Sequence, residues 1–149
     1  MRTELWQQLP LPDVSGRADT VWQWEITRPA QLTAARRTLR DDLAGDALPA
    51  GADADDVERL LLAFEELASN GLRHSGQSIT VRVAGCAHGW LIDVSDARPD
   101  DPPVPAVDRD PAFGGLGLHL IARLAAGHGW VTAGARKHVW AYLVLPAAA

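Results

Sequence analysis

Between residues 57 and 75, Val57, Leu60, Leu61, Phe64, Leu67, Ala68 and Gly71 recur at helical spacing and make one apolar stripe. This stretch constrains the fold most, because a helix with so continuous an apolar seam has to pack against other elements. At about 100° per residue, Glu66 falls opposite the centre of the stripe and Asn70 follows one turn later. A carboxylate and a carboxamide therefore project side by side, away from the packing seam. Two readings of this pair are open: a solvated outer face, or a catalytic base beside a metal ligand held by a rigid helix. Leu62 and Ala63 flank the pair, and Gly71, Arg73, His74, Ser75 and Gly76 end the helix in groups suited to a ligand. At the other end, Asp55 with Glu58 makes an aspartate version of the capping box, and Asp53, Asp55 and Asp56 suit the positive end of the helix dipole.

The rest of the chain supplies a sheet and two further helices. Residues 1–19, with Pro10, Pro12, Ser15 and Gly16, read as an irregular arm whose Leu5, Trp6 and Leu9 dock on the body or on a second subunit. Val21 to Ile26 alternates, with Trp22, Trp24 and Ile26 facing the core. Pro29 opens a helix running to Leu43, with Leu32, Ala35, Leu39 and Leu43 inward. Its Arg36, Arg37 and Arg40 form either an ordinary solvated face or a partner-binding patch. Residues 78–84 alternate through Ile79, Val81 and Val83, Gly85 to Gly89 turn, and Trp90 to Ser95 returns as an antiparallel partner ending at Asp96.

Arg98 to Phe113 is rich in proline and reads as a mobile, extended loop. Its aspartates do not have the spacing of a calcium loop. The loop closes at Gly114, Gly115, Leu116, Gly117 and Leu118, which lead into a helix running through Ala126, packed by Leu116, Leu120, Ile121 and Leu124. Glycines before a helix start let backbone N–H groups approach a phosphate, though such a turn also serves plain packing. Strands Trp130–Ala135 and His138–Leu145, separated by Arg136 and Lys137, complete the sheet. The expected fold is α+β: a two-layer α/β sandwich with a mixed, mostly antiparallel sheet and three helices on one face, forming one domain over residues 20–149. The order lacks β-α-β alternation, so the glycines are not a dinucleotide fingerprint.

Charge and composition exclude some classes. A net charge of −5 argues against a nucleic-acid or anionic-membrane binder. The single cysteine, Cys86, precludes an internal disulfide and makes a reducing cytoplasm the expected compartment. No apolar run approaches a membrane span, and the N-terminus carries no signal-peptide pattern.

Taken together, the blocks resemble the Bergerat-fold, or histidine kinase-like, ATPases, in the anti-sigma factor serine/threonine kinase branch of actinobacterial type. Glu66 to His74 resembles the E-x-x-x-N-A-x-x-H box. Asp96 stands at a strand end like the adenine-binding aspartate, Gly115 to Leu118 resembles the second glycine box, and Lys137 to Trp140 resembles the closing G-K-x-V-W strand. The resemblance implies a site for ATP and Mg²⁺ with Glu66 as general base and Asn70 as the metal ligand. Arg73 and His74 would border the nucleotide, Asp96 would accept from the adenine amino group, and Gly114, Gly115, Leu116, Gly117 and Leu118 would line the phosphates beneath a lid at about 97–113. It further implies a sigma factor and a small anti-anti-sigma (STAS-type) antagonist as partners, and allows a homodimer. Two positions depart from the pattern: Arg98 replaces the glycine of D-x-G, and Lys137 stands where relatives often carry a small hydroxyl residue. The alternative is a catalytically silent binding switch of the same fold. A histidine kinase catalytic domain is disfavoured, since the chain has no room for a dimerisation helix pair.

Overall fold

The computed structural model describes residues 6–14, 16, 18–86, 88–100 and 116–145. The elements run β1 (Ala18–Ile26), α1 (Pro29–Leu43), α2 (Ala54–Ser75), β2 (Ile79–Cys86), β3 (Gly89–Asp96), α3 (Leu116–Leu124), β4 (Gly127–Ala133) and β5 (Arg136–Val144). The strands form one five-stranded sheet in the order β1-β2-β3-β5-β4, antiparallel throughout, so the expected α+β architecture holds. The only parallel pairing among the described residues is a bridge between Gln8 and Trp130.

The main core lies between the sheet and the helices. The helix α2 rests on β2, β3 and β5, α1 flanks it beside β1, and α3 packs on α2 and β4. Leu60, Leu61, Phe64 and Leu67 of α2 are at most 1% exposed, each contributing about 1.5–3 kcal/mol by burial. They meet Ile79, Val81, Val83, Ile92 and Val94 from the central strands. Trp24 packs edge-on against Phe64 at 5.5 Å, and the Trp22 indole N–H donates to Asp42 at 2.9 Å, tying β1 to α1.

Several boundaries differ from the sequence reading, each for a local reason. The N-cap of α2 is Asp53, not Asp55: its carboxylate accepts from the Asp56 N–H at 2.9 Å while its own N–H donates to Asp56 at 2.9 Å. Glu58 instead pairs with Arg40 across to α1 at 2.7 Å. The hydrogen bond from the Asp53 backbone, aided by Arg59, holds the Asp56 carboxyl below the usual range against the opposing effect of burial. Residues 127–129, left between helix and strand by the sequence reading, lie inside β4, where a Cβ on Gly129 would stand 3.0 Å from both the Gln7 carbonyl oxygen and Leu9 Cβ and 3.2 Å from the Trp140 ring. The last turn falls at Gly134, whose φ of 61° suits glycine, so Arg136 and Lys137 belong to β5. On α3, Leu118 and Ile121 are the buried residues, while Leu120 is only half-buried.

Residues 6–14 of the arm lie against the body, while Leu5 lies outside the described residues. Trp6 is 4% exposed within the main core, its ring 4.6 Å from that of His128. The Leu9 N–H donates to the Trp130 carbonyl at 2.9 Å and the Trp130 N–H to the Gln7 carbonyl at 3.1 Å. Further along, Val14 joins Ala84, Cys86, Leu91 and Trp140 in a second, smaller cluster.

Candidate functional site

The C-terminal half of α2 is bracketed by two other elements. At Glu66 it meets the start of α3: a Cβ added to Gly117 would stand 2.1 Å from a Glu66 carboxylate oxygen, so glycine there lets α3 approach without displacing the carboxylate. One turn on, Gly71 lies against β3, where an added Cβ would come within 2.7 Å of Val94. At the helix end Gly76 takes a left-handed φ of 64°, and the Arg98 guanidinium donates to the Ser75 carbonyl at 3.1 Å. A cation at a helix C-terminus meets the negative end of the dipole, so the side chain that replaces the usual glycine ties the segment after β3 to α2.

This bracketing corrects the picture of Glu66 and Asn70 as a pair projecting away from the packing. Glu66 is half-buried and Asn70 only 6% exposed, because α2 is covered on a second side that a single-seam helical wheel ignores. The Asn70 carboxamide oxygen is buried and has no hydrogen-bond partner among the described residues. A buried acceptor left unpaired costs about 1–3 kcal/mol, so it marks a place where a donor or cation belongs.

Asp96, the last residue of β3, is 2% exposed. Its Oδ1 accepts from the Arg98 N–H at 2.8 Å. Directly opposite on β5 stands Lys137, 4% exposed, with its Nζ 3.4 Å from Asp96 Oδ2. The sequence reading missed this ion pair by placing Lys137 in a turn; its signal was the β3–β5 register, which sets the two residues face to face.

The other expected site residues are less closely gathered. Arg73 is exposed and His74 half-buried on the last turn of α2. Leu116 opens α3, and Leu118 turns its side chain into the core at 1% exposure, leaving only its backbone to meet a ligand. Gly114, Gly115 and the lid segment beyond residue 100 lie outside the described residues. Among the described residues no group of three or more His, Cys, Asp or Glu side chains could hold a metal by itself. A cation here would need oxygens from a ligand, as Mg²⁺ commonly takes them from phosphates.

On the outer face of the sheet, His138 Nδ1 lies 2.9 Å from Asp93, whose hydrogen bond raises the imidazole pKa above its ordinary value despite burial. Arg136 donates to the Ser95 carbonyl at 2.9 Å on this side. Both contacts are remote in role from Asp96, whose side chain faces the helices.

The described residues thus form an α+β sandwich whose long central helix carries a half-buried glutamate and a buried asparagine oxygen without a partner among them. The chain belongs to the histidine kinase-like ATPase domain family, which matches residues 27–143. No curated protein matches it significantly. Among solved structures, it is similar to the crystal structure of the RsbU and RsbW domains of Rv1364c from Mycobacterium tuberculosis, with a TM-score of 0.55 at 20% identity. That match covers 85% of this chain and 34% of the other, so the chain spans about a third of that protein. The likeness is one of fold. No helix among the described residues is long and apolar enough to cross a membrane.

Proposed function

We propose that this domain binds ATP with Mg²⁺ and acts as a serine/threonine kinase of the anti-sigma type, phosphorylating a small anti-anti-sigma antagonist and sequestering a sigma factor when that antagonist is absent. The observation that carries the reading is the buried, unpartnered Asn70 oxygen one turn from Glu66, in a member of an ATPase family. The similarity to a structure containing an RsbW domain agrees with it at the level of fold.

The metal end of the site fits the implied ligands. A neutral carboxamide oxygen suits a hard cation, so Asn70 would hold Mg²⁺, which when bound neutralises charge on the phosphates. Glu66 takes the proton from the acceptor hydroxyl as that oxygen bonds to the γ-phosphorus and the bond from phosphorus to the bridging oxygen breaks, releasing ADP; the close approach of Gly117 to its carboxylate supports this role. The base end fits less well, since Asp96 is already paired with Lys137 and Arg98 occupies the glycine position. Those two features favour a second reading, a silent partner-binding switch.

The test is transfer of labelled phosphate from ATP·Mg²⁺ to each small antagonist protein encoded in the same genome. Glu66→Gln keeps shape and helix propensity, so ATP binding stays nearly intact while transfer falls by about 10²–10⁴-fold. Glu65→Gln is the control, because Glu65 is engaged by the Ser69 hydroxyl at 3.0 Å rather than by α3. Equal transfer by wild type and Glu66→Gln overturns Glu66 as the base, and transfer to no antagonist leaves the silent switch as the function.

A further inference from the structure

Lys137 is the only lysine in the chain, and it is spent on a buried contact. Its Nζ and the Arg98 N–H between them engage both oxygens of Asp96. The pair is 2–4% exposed, so water screens it little, and removing either partner strands the other. An amino group arriving at this carboxylate brings more N–H donors to an acceptor that already has two, and sets them beside an ammonium. An oxo group arriving there meets a donor. Each Asp96 oxygen keeps a lone pair, but the neighbouring ammonium competes for it with an amino-bearing base and offers a donor to an oxo group.

We propose that Lys137 sets the base selectivity of the nucleotide site: by holding Asp96 it removes the preference for a purine carrying a 6-amino group. The inference rests on the nucleotide-binding reading of this domain. Lys137 acts through Asp96, by charge and by occupying one of its oxygens, and it takes no part in phosphoryl transfer.

The experiment is equilibrium binding of ATP and of ITP, which carries a 6-oxo group, to the full chain with Mg²⁺, followed by calorimetry. Wild type is expected to bind the two within about threefold, whereas a site that hydrogen-bonds one base edge discriminates by far more. Lys137→Thr, which frees Asp96, should raise the preference for ATP to about tenfold or more. A wild-type preference for ATP above about tenfold overturns the proposal while leaving nucleotide binding intact. So does a folded Lys137→Thr protein with an unchanged ratio. Should wild type bind neither nucleotide and Lys137→Thr bind ATP, Lys137 blocks the site rather than setting its selectivity, which overturns the proposal and the wild-type kinase reading together. Binding of neither by both proteins overturns both. If Lys137→Thr does not fold, the wild-type ratio decides, with Lys137→Met as the variant that keeps side-chain length.

Discussion

Gly117→Ala isolates the contact between α3 and the glutamate. The new Cβ would stand 2.1 Å from one Glu66 carboxylate oxygen, 2.8 Å from its carboxyl carbon and 3.0 Å from its Cβ. Ordinary contacts are about 3.5 Å, so the oxygen has to retreat by roughly 1 Å. The carboxylate is the far end of a flexible side chain, and turning it away costs about 0.5–1.5 kcal/mol. Alanine in place of glycine returns about 0.5–1 kcal/mol of helix stability. The two nearly cancel, so stability should change by less than about 1 kcal/mol, or roughly 2–4 °C in Tm for a chain of this size. Transfer responds differently, since misplacing a reacting group by about 1 Å costs on the order of 10²-fold. Thermal unfolding and single-turnover transfer from labelled ATP, measured on the same preparation, give both numbers. Full transfer by a folded Gly117→Ala protein refutes the reasoning that Glu66 acts from this position. A stability loss above about 3 kcal/mol would show instead that the contact cannot adapt.

Three further outcomes follow from contacts elsewhere. Gly71→Ala places a Cβ 2.7 Å from the Val94 methyl in the centre of the sheet, where no flexible tip can yield, and should destabilise by about 1–3 kcal/mol in urea unfolding. Trp6→Ala removes a ring that is 4% exposed and should cost about 3–5 kcal/mol; a loss below 1 kcal/mol would mean that the arm does not seal the core. The Asp93 hydrogen bond raises the His138 pKa, so its stabilisation is complete below the unfolded value of about 6.5 and disappears as pH rises through the folded value. Asp93→Asn should abolish that alkaline fall, and an NMR titration of His138 should show its pKa dropping.

What the sequence discloses depends on the range of the interaction. The α2 stripe, the alternation of Trp22, Trp24 and Ile26, and the β2–β3 hairpin are local periodicities, and they correspond closely to the elements formed. The burial of Asn70 was hidden because a helical wheel knows one packing partner and α2 has two. Lys137 was hidden because its meaning depends on the register of β3 with β5, 41 positions apart at Asp96, which no local pattern specifies. The start of β4 was hidden because Gly129 looks like punctuation, yet its missing side chain makes room for Gln7, Leu9 and the Trp140 ring. Asp53 took the cap from Asp55 because two carboxylates within one turn compete on geometry that composition does not separate.

The arm has a consequence for the order in which the molecule is made. Its hydrogen bonds join residues far apart in the chain: Trp130 donates to the Trp6 carbonyl across 124 positions, and Trp140 to the Leu9 carbonyl across 131. On a ribosome adding about 5–20 residues per second, Trp6 waits on the order of ten seconds before its partner strand exists. During that interval an indole destined for the interior is in water, and β4, once made, presents an open edge until Gln8 and its neighbours return to it. The arm is thus made well before it can be seated, and the nascent chain passes through a stage in which a chaperone has both an apolar segment and an unpaired strand to hold.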